Sequence, residues 1–119
     1  MTNLKLVNAA TEQDVISITD GQTISLSALG VTKCNIRAYT NTSAVGSVKF
    51  ELSGTQSKTS TDNAAPFALM GDDGAGNFYY GNWNPPALGT YTLKATPYTL
   101  DNASGSAGTP KTITFTFVK

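Results

Sequence analysis

Short runs in which apolar and polar residues alternate constrain this chain more than any other feature of its sequence. The clearest runs cover residues 91–96 and 112–117, whose apolar members are Tyr91, Leu93, Ala95, Ile113, Phe115 and Phe117. Successive side chains of a β-strand point to opposite faces of the sheet, so each run predicts a strand with one buried face. No segment has the 3.6-residue period of an amphipathic helix. The pattern therefore predicts an all-β protein.

Similar runs earlier in the chain complete the prediction. Residues 34–39 and 48–53 alternate in the same way and predict two central strands, while residues 4–18 predict one or two edge strands. Asp20 and Gly21 form a turn signal before residues 23–26, which predicts a hairpin or a kinked first strand. The polar run 56–61 fits an exposed edge strand or a loop. Turn residues separate these runs at the spacing of a β-sandwich.

Tyr91 directly follows the turn residues Gly89 and Thr90 and begins the penultimate predicted strand. A tyrosine at this place in a Greek-key sandwich can pack its ring inward while its hydroxyl bonds backbone a few residues upstream, an arrangement known as a tyrosine corner. We predict this arrangement for Tyr91. The alternative is an ordinary core tyrosine.

Composition excludes several classes of function. Lys plus Arg and Asp plus Glu number 8 each, so the formal net charge is zero, and the basic surface needed to bind nucleic acid is missing. The chain has no histidine, which rules out Ser-His and Cys-His catalysis. No stretch approaches the roughly 18 apolar residues of a membrane span, so we expect no membrane insertion. The 18 threonines, 10 serines and 11 glycines favour strands and turns.

Residues 66–86, here called the aromatic segment, form the most irregular part of the sequence. The segment holds 5 of the 11 aromatic residues among many Gly, Asn and Pro residues. Exposed rings that stack on sugar faces, together with polar side chains for the hydroxyls, would make a glycan-binding surface. The candidate ligand-binding residues are Trp83, Tyr79 and Tyr80 for stacking, and Asp72, Asp73, Asn82 and Asn84 for hydrogen bonds. The alternative is that Phe67, Phe78 and Trp83 fold back and close one end of the sandwich.

The acidic run at residues 71–77 also suggests a weak calcium site at Asp72, Asp73 and Asn77, because calcium takes carboxylate and carbonyl oxygens from flexible loops. The run lacks the Asp-x-Asx-x-Asx-Gly spacing and the distal Glu of a helix-loop-helix calcium site. An acidic turn in which Asp72 bonds the loop backbone is the favoured interpretation. We therefore predict no cofactor.

The remaining reactive residues give no indication of catalysis. The eight acidic residues fall mostly in turn-like or solvent-facing positions, which does not suggest the paired carboxylates of a hydrolase. Cys34 lies on the inward face of its strand and is predicted to be a buried, inert thiol. Arg37 and Tyr39 lie on the opposite face, where a solvated surface is favoured over a second contact site. Residues 101–110 are small and polar and predict a surface loop.

Several runs together resemble an immunoglobulin-like module that is repeated in large secreted bacterial proteins. The resemblance covers nearly the whole chain and rests on residues 6–9, 24–26, 35–40, 46–50, 65–72 and 89–93. Such modules are accessory domains beside glycoside hydrolase, malectin-like and secretion domains, which implies an extracellular or cell-surface, non-catalytic role. This chain departs from the family at residues 77–83, which carry more aromatic residues than the family pattern.

The combined prediction is an antiparallel, immunoglobulin-like Greek-key β-sandwich of about seven to nine strands. We expect residues 1–119 to form one such module, excised from a longer multidomain protein. The predicted function is polysaccharide or glycan binding through the aromatic segment, without enzymatic activity. The alternative is a structural spacer or adhesion repeat whose partners are the neighbouring domains of the parent protein.

Overall fold

A computed structural model describes residues 3–40 and 45–119, and this part of the chain is almost entirely β-structure. In chain order the elements are β1 (Asn3–Asn8), β2 (Gln13–Ser17), β3 (Gln22–Ser25), α1 (Leu26–Leu29), β4 (Cys34–Tyr39), β5 (Ser47–Gly54), β6 (Lys58–Asp62), β7 (Phe67–Ala68), β8 (Gly89–Leu100), β9 (Ser104–Ala107) and β10 (Lys111–Val118). The prediction of an all-β protein is confirmed, whereas the described residues form ten strands instead of the seven to nine predicted.

The strands form two sheets that pack face to face as a sandwich. The first sheet has the order β2-β1-β4-β7, and the second has the order β3-β10-β8-β5-β6, with β9 paired to the far end of β8. All pairs are antiparallel except β3 and β10, which run parallel. Residues 22–25 therefore do not form the predicted hairpin with the strand before them. They pair instead with the last strand of the chain.

Alternation places the apolar residues between the sheets as predicted. The fully buried side chains include Leu4, Leu6, Ile36, Phe50, Leu93, Ile113 and Phe115. Tyr91, Phe115 and Phe117 form an aromatic cluster with ring centroids 5.2–5.6 Å apart. Because all three rings come from the neighbouring strands β8 and β10, the alternating pattern alone brings them together.

Three segments differ from the sequence prediction. One helical turn, α1, follows β3, because the Ser25 side chain accepts a bond from the Ala28 N–H and Gly30 ends the turn at φ 67°. Residues 104–107 of the predicted surface loop form strand β9, although all four residues are exposed. The polar residues 58–62 form β6, an edge strand, as one of the two interpretations predicted.

The chain enters and leaves the sandwich at opposite ends. Asn3 pairs with Tyr39, and β5 begins opposite Tyr98 near the end of β8; we call this end the N-terminal pole. Phe117 pairs with Gly89, where β8 begins, and the backbone N–H of Cys34 donates to Trp83 nearby; we call this end the C-terminal pole. Twelve residues of β8 span roughly 40 Å at about 3.3 Å per residue, which matches the longest dimension of the molecule, 40 Å.

Candidate functional site

The aromatic segment begins with β7, crosses the outer face of the first sheet, and reaches the C-terminal pole before β8. Asp72 and Phe78 form an isolated antiparallel bridge, and the Tyr79 N–H donates to the Gly71 carbonyl at 3.0 Å. The first half of the segment is thus a small hairpin with its tip at residues 73–77. The second half descends to Trp83.

Asn35 fastens this small hairpin to the sheet. Its side-chain nitrogen donates to the carbonyls of Gly71 at 3.0 Å and Tyr79 at 2.8 Å, and its side-chain oxygen accepts from the Met70 N–H at 2.8 Å and from the Ile36 N–H. The alternating pattern of β4 assigns Asn35 to the outward face, yet Asn35 is fully buried because the segment covers it. One buried amide therefore satisfies backbone groups at both sides of the hairpin.

A second, smaller apolar cluster lies beneath the segment on the outer face of the first sheet. Its buried members are Val7, Ala9, Ala68 and Phe78, and the half-buried Tyr80 packs against them. The Lys33 ammonium lies 5.3 Å from the centre of the Tyr80 ring, so a cation already occupies one side of this ring. Tyr80 is therefore a partly covered ring rather than an open stacking surface.

Trp83 is not an exposed stacking residue. Its side chain has no solvent-accessible surface, and its ring lies 5.6 Å from Tyr91 and 5.5 Å from Phe117 in edge-to-face contacts. The indole N–H donates to the Gln56 side-chain oxygen at 2.8 Å, so the polar atom of the ring is satisfied inside the protein. The prediction that Trp83 stacks on a sugar is wrong in this structure. Trp83 closes the C-terminal pole, which was the alternative.

The Tyr91 hydroxyl makes the contact that the sequence predicted. It donates to the carbonyl of Ala87, four residues upstream, at 2.6 Å, and it lies 2.8 Å from the Gln56 side-chain oxygen. Gln56 also accepts from the Ala87 N–H at 3.3 Å. The tyrosine corner is thus joined to Trp83 through one amide, and burial raises the pKa of the Tyr91 hydroxyl.

The acidic tip of the segment is an internally bonded turn. The Asp73 carboxylate accepts from the Asn77 side chain at 2.7 Å and from the N–H groups of Ala75 at 2.8 Å and Asn77 at 3.1 Å. These bonds, with that of the Asn77 side chain first, hold the pKa of Asp73 below its usual value. Asp73 rather than Asp72 provides most of the turn bonds, since Asp72 accepts only one contact, from Gly74 at 3.4 Å. Within residues 3–40 and 45–119 no group of three metal-ligating residues comes together.

The other candidate residues remain on the surface. The Tyr79 side chain is 53% exposed, and Asn82 and Asn84 are exposed as well. The edge of the Tyr79 ring lies close to Gly71, where an added Cβ would be 3.6 Å from the ring. Of the three predicted stacking rings, Tyr79 alone presents an exposed face of substantial size.

The outward face of β4 is covered by its own charged neighbours. The Arg37 guanidinium lies 4.4 Å and the Lys5 ammonium 5.2 Å from the centre of the Tyr39 ring. The Tyr39 hydroxyl donates to the Asp14 carboxylate, and burial followed by this bond raises the pKa of Tyr39. Lys5 and Asp14 come from strands β1 and β2, so the sequence of β4 alone gave no signal for this cluster.

Cys34 is fully buried, and burial raises the pKa of its thiol to about 12. A thiol of this kind is protonated at neutral pH and is a poor nucleophile.

Comparison with protein families, with curated proteins and with solved structures finds no match for the chain. The resemblance to a secreted immunoglobulin-like module therefore stays a prediction. Among the described residues no helix is long and apolar enough to cross a membrane.

Proposed function

We propose that this chain is a non-catalytic spacer module with immunoglobulin-like connectivity, belonging to an extracellular multidomain protein. The two-sheet sandwich and the tyrosine corner at Tyr91 support the immunoglobulin-like assignment. The resemblance in sequence supports the extracellular setting. The role itself rests on two features of the fold, the course of the chain and the use of the aromatic segment.

The course of the chain carries the proposal. Residue 3 lies at the N-terminal pole and residue 119 follows β10 at the C-terminal pole, so the module separates whatever joins it by the length of the sandwich. The second sheet contains long strands, and β8 pairs with β5, β9 and β10 along its twelve residues. A body built this way holds its length, which is the property that a spacer requires.

The aromatic segment supports the same role. Its hairpin is fastened by Asn35, its tryptophan is in the core, and Asp73 at its acidic tip is bonded within the turn. A spacer needs no row of rings in water, whereas a stacking platform does. The segment therefore serves to close the sandwich and to cover its first sheet.

Small-angle scattering of two copies joined in tandem after Lys119 tests the spacer proposal. The expected maximum dimension is about 80 Å, twice the 40 Å length of one copy. A pair of copies that fold back side by side, with a maximum dimension near that of one copy, would contradict the proposal. Single-copy scattering is the matched control.

Tyr79 favours glycan binding as a second candidate function. Its ring is 53% exposed, and the same segment carries the exposed polar residues Asp73 and Asn82. Affinity electrophoresis against neutral and acidic polysaccharides is the test, run with Tyr79→Ala and with Thr59→Ala as a control at an exposed position of β6. Retardation that Tyr79→Ala removes and Thr59→Ala keeps supports binding. Equal mobility of all three proteins on every polymer contradicts it.

A further inference from the structure

Exposed apolar side chains concentrate at the two poles of the sandwich. Among the described residues the large exposed ones are Tyr79, Leu88, Leu100 and Val118. Leu88 directly precedes β8 and Val118 ends β10, so both lie at the C-terminal pole. Leu100 ends β8 at the N-terminal pole, and it is the most exposed of the four at 59%.

An apolar groove of about 390 Å³ opens at the C-terminal pole. The main side chains around it are Leu26, Val31, Pro85, Pro86, Leu88 and Lys119. Its wall is fixed, because the short helix α1 is capped at both ends and the Ser25 hydroxyl donates to the Lys119 carbonyl at 3.1 Å. Among the residues that the structure describes, Lys119 supplies the one charged side chain around the groove. The groove thus combines apolar walls with a positive charge.

Leu100 lies on a rigid tip at the opposite pole. Residues 100–104, here called the hairpin tip, join β8 to β9. The buried Ser47 hydroxyl donates to the Leu100 carbonyl at 2.6 Å and accepts from the Ala103 N–H at 3.0 Å. Asn63 and Asn102 exchange two further bonds, at 3.0 and 2.8 Å. The fold therefore fixes the position of an exposed leucine, and Asp101 follows it directly.

We infer that the groove is the docking site for a second copy of this chain, with Leu100 of one copy seated in the groove of the next. The apolar side chain meets apolar walls, and Asp101 of the hairpin tip comes toward Lys119 across the contact, which makes the two poles complementary in charge. The net charge of zero leaves no overall repulsion between copies. This inference deepens the proposed spacer role and rests on it.

Contact between opposite poles is heterologous, so it adds copies in a line. Copies in such a line all point in the same direction as copies joined end to end in one chain, because the chain enters at one pole and leaves at the other. One leucine and one ion pair make a contact far smaller than the roughly 1,200 Å² of a stable interface. We therefore expect a dissociation constant in the millimolar range between free copies. Copies joined in one chain have an effective concentration of about 1 mM, so the contact would then be substantially populated.

Complementation between two variants tests the inference. Leu100→Ser removes the inserted side chain and leaves the groove, while Leu88→Glu damages the groove and leaves the tip. We expect backbone NMR signals of Leu26, Val31 and Leu100 to shift in the wild-type chain between about 0.05 and 2 mM. Neither variant alone shows these shifts. Labelled Leu100→Ser mixed with unlabelled Leu88→Glu recovers the groove shifts, because one intact tip then meets one intact groove.

Tyr79→Ser is the matched control, since it removes a similarly exposed side chain that neither lines the groove nor belongs to the hairpin tip, and it should associate as the wild type does. A charge exchange between Asp101 and Lys119 tests the ion pair. It uses a chain with an amidated C-terminus, because amidation removes the terminal carboxylate charge and leaves the Lys119 ammonium as the charge beside the groove. Asp101→Lys is expected to weaken association severalfold, and adding Lys119→Asp to restore it.

Two results would overturn the inference. One is that Leu100→Ser shows the same concentration-dependent shifts as the wild type. The other is that the mixed variants fail to recover the groove shifts while both remain folded by their amide spectra. The tandem scattering experiment measures the maximum dimension of two joined copies and does not depend on contact between Leu100 and the groove. An extended tandem pair with no complementation would therefore refute the docking and leave the spacer proposal standing.

Discussion

The aromatic segment and the hairpin tip are opposites in composition and in structure. The segment at residues 66–86 is rich in rings, which suggests a surface made for stacking, yet Phe67, Phe78 and Trp83 are buried. The tip at residues 100–104 is small and mostly polar, yet it holds Leu100 in solvent on a bonded framework. Ring content therefore says little about exposure. What differs is which side chains face the core once the loop backbone is bonded to the sandwich.

Polar side chains beneath the two loops anchor both regions. Asn35 and Gln56 together bond the backbone or side chains at Met70, Gly71, Tyr79, Trp83 and Ala87, and these bonds hold the aromatic segment against the sandwich. At the hairpin tip the buried Ser47 bonds backbone alone and leaves the Leu100 side chain outside. In both regions a buried polar side chain, Asn35 or Ser47, bonds the loop backbone. Three rings of the aromatic segment then face inward, whereas the Leu100 side chain faces solvent.

Replacing Trp83 is the strongest way to break this comparison. Trp83→Ala removes a fully buried ring and leaves Gln56 without its indole donor, so we expect a loss of about 3–5 kcal/mol of unfolding free energy. Urea denaturation followed by circular dichroism measures the change. Tyr79→Ala is the control, and it should change stability by less than about 0.5 kcal/mol. A folded, equally stable Trp83→Ala protein would return Trp83 to the ligand-binding candidates.

Asn35→Ala tests how the aromatic segment is attached. The variant leaves the carbonyls of Gly71 and Tyr79 and the N–H of Met70 without their partner, which we expect to cost about 2–4 kcal/mol. Hydrogen exchange at the Met70 amide should become faster than in the wild type by more than the loss of global stability accounts for. Asn82→Ala changes an exposed asparagine of the same segment and should do neither. Unchanged Met70 protection in Asn35→Ala would mean that the apolar cluster at Phe78 holds the segment.

Alternation predicted the strands because period-two patterning follows directly from strand geometry. It also predicted the tyrosine corner, since Tyr91 is fixed by the turn before it. It could not predict the parallel pairing of β3 with β10, which joins residues about 90 positions apart. Nor could it show that the outward residue Asn35 is buried, because the covering segment comes from elsewhere in the chain. The buried indole N–H of Trp83 likewise bonds Gln56, which comes from another part of the chain. Residue types therefore suggested the candidate site, and the tertiary contacts corrected it.

Tyr91→Phe sharpens the comparison at the base of the aromatic segment. It keeps the ring in the core and removes the hydroxyl that bonds Ala87, so the carbonyl of Ala87 loses its partner. We expect a loss of about 1–2 kcal/mol, less than for Asn35→Ala, because the hydroxyl has two partners, Ala87 and Gln56, whereas the Asn35 side chain makes four hydrogen bonds. Thermal unfolding measures the effect, with Tyr79→Phe as the exposed tyrosine control. An effect equal to that of the control would show that the corner bond adds no net stability.

Ala103→Gly should have the smallest effect and should act in the opposite direction. Ala103 has a φ of 55°, a left-handed conformation that glycine adopts without the steric cost of a Cβ. Relief of this cost exceeds the extra chain entropy of glycine by a few tenths of a kcal/mol and stabilises the protein slightly. Chemical denaturation measures it, with Ala107→Gly in the exposed strand β9 as a control that should destabilise instead. If Ala103→Gly destabilised the protein as well, the Ala103 side chain would be part of what holds the hairpin tip, and the framework under Leu100 would depend on more than Ser47 and Asn63.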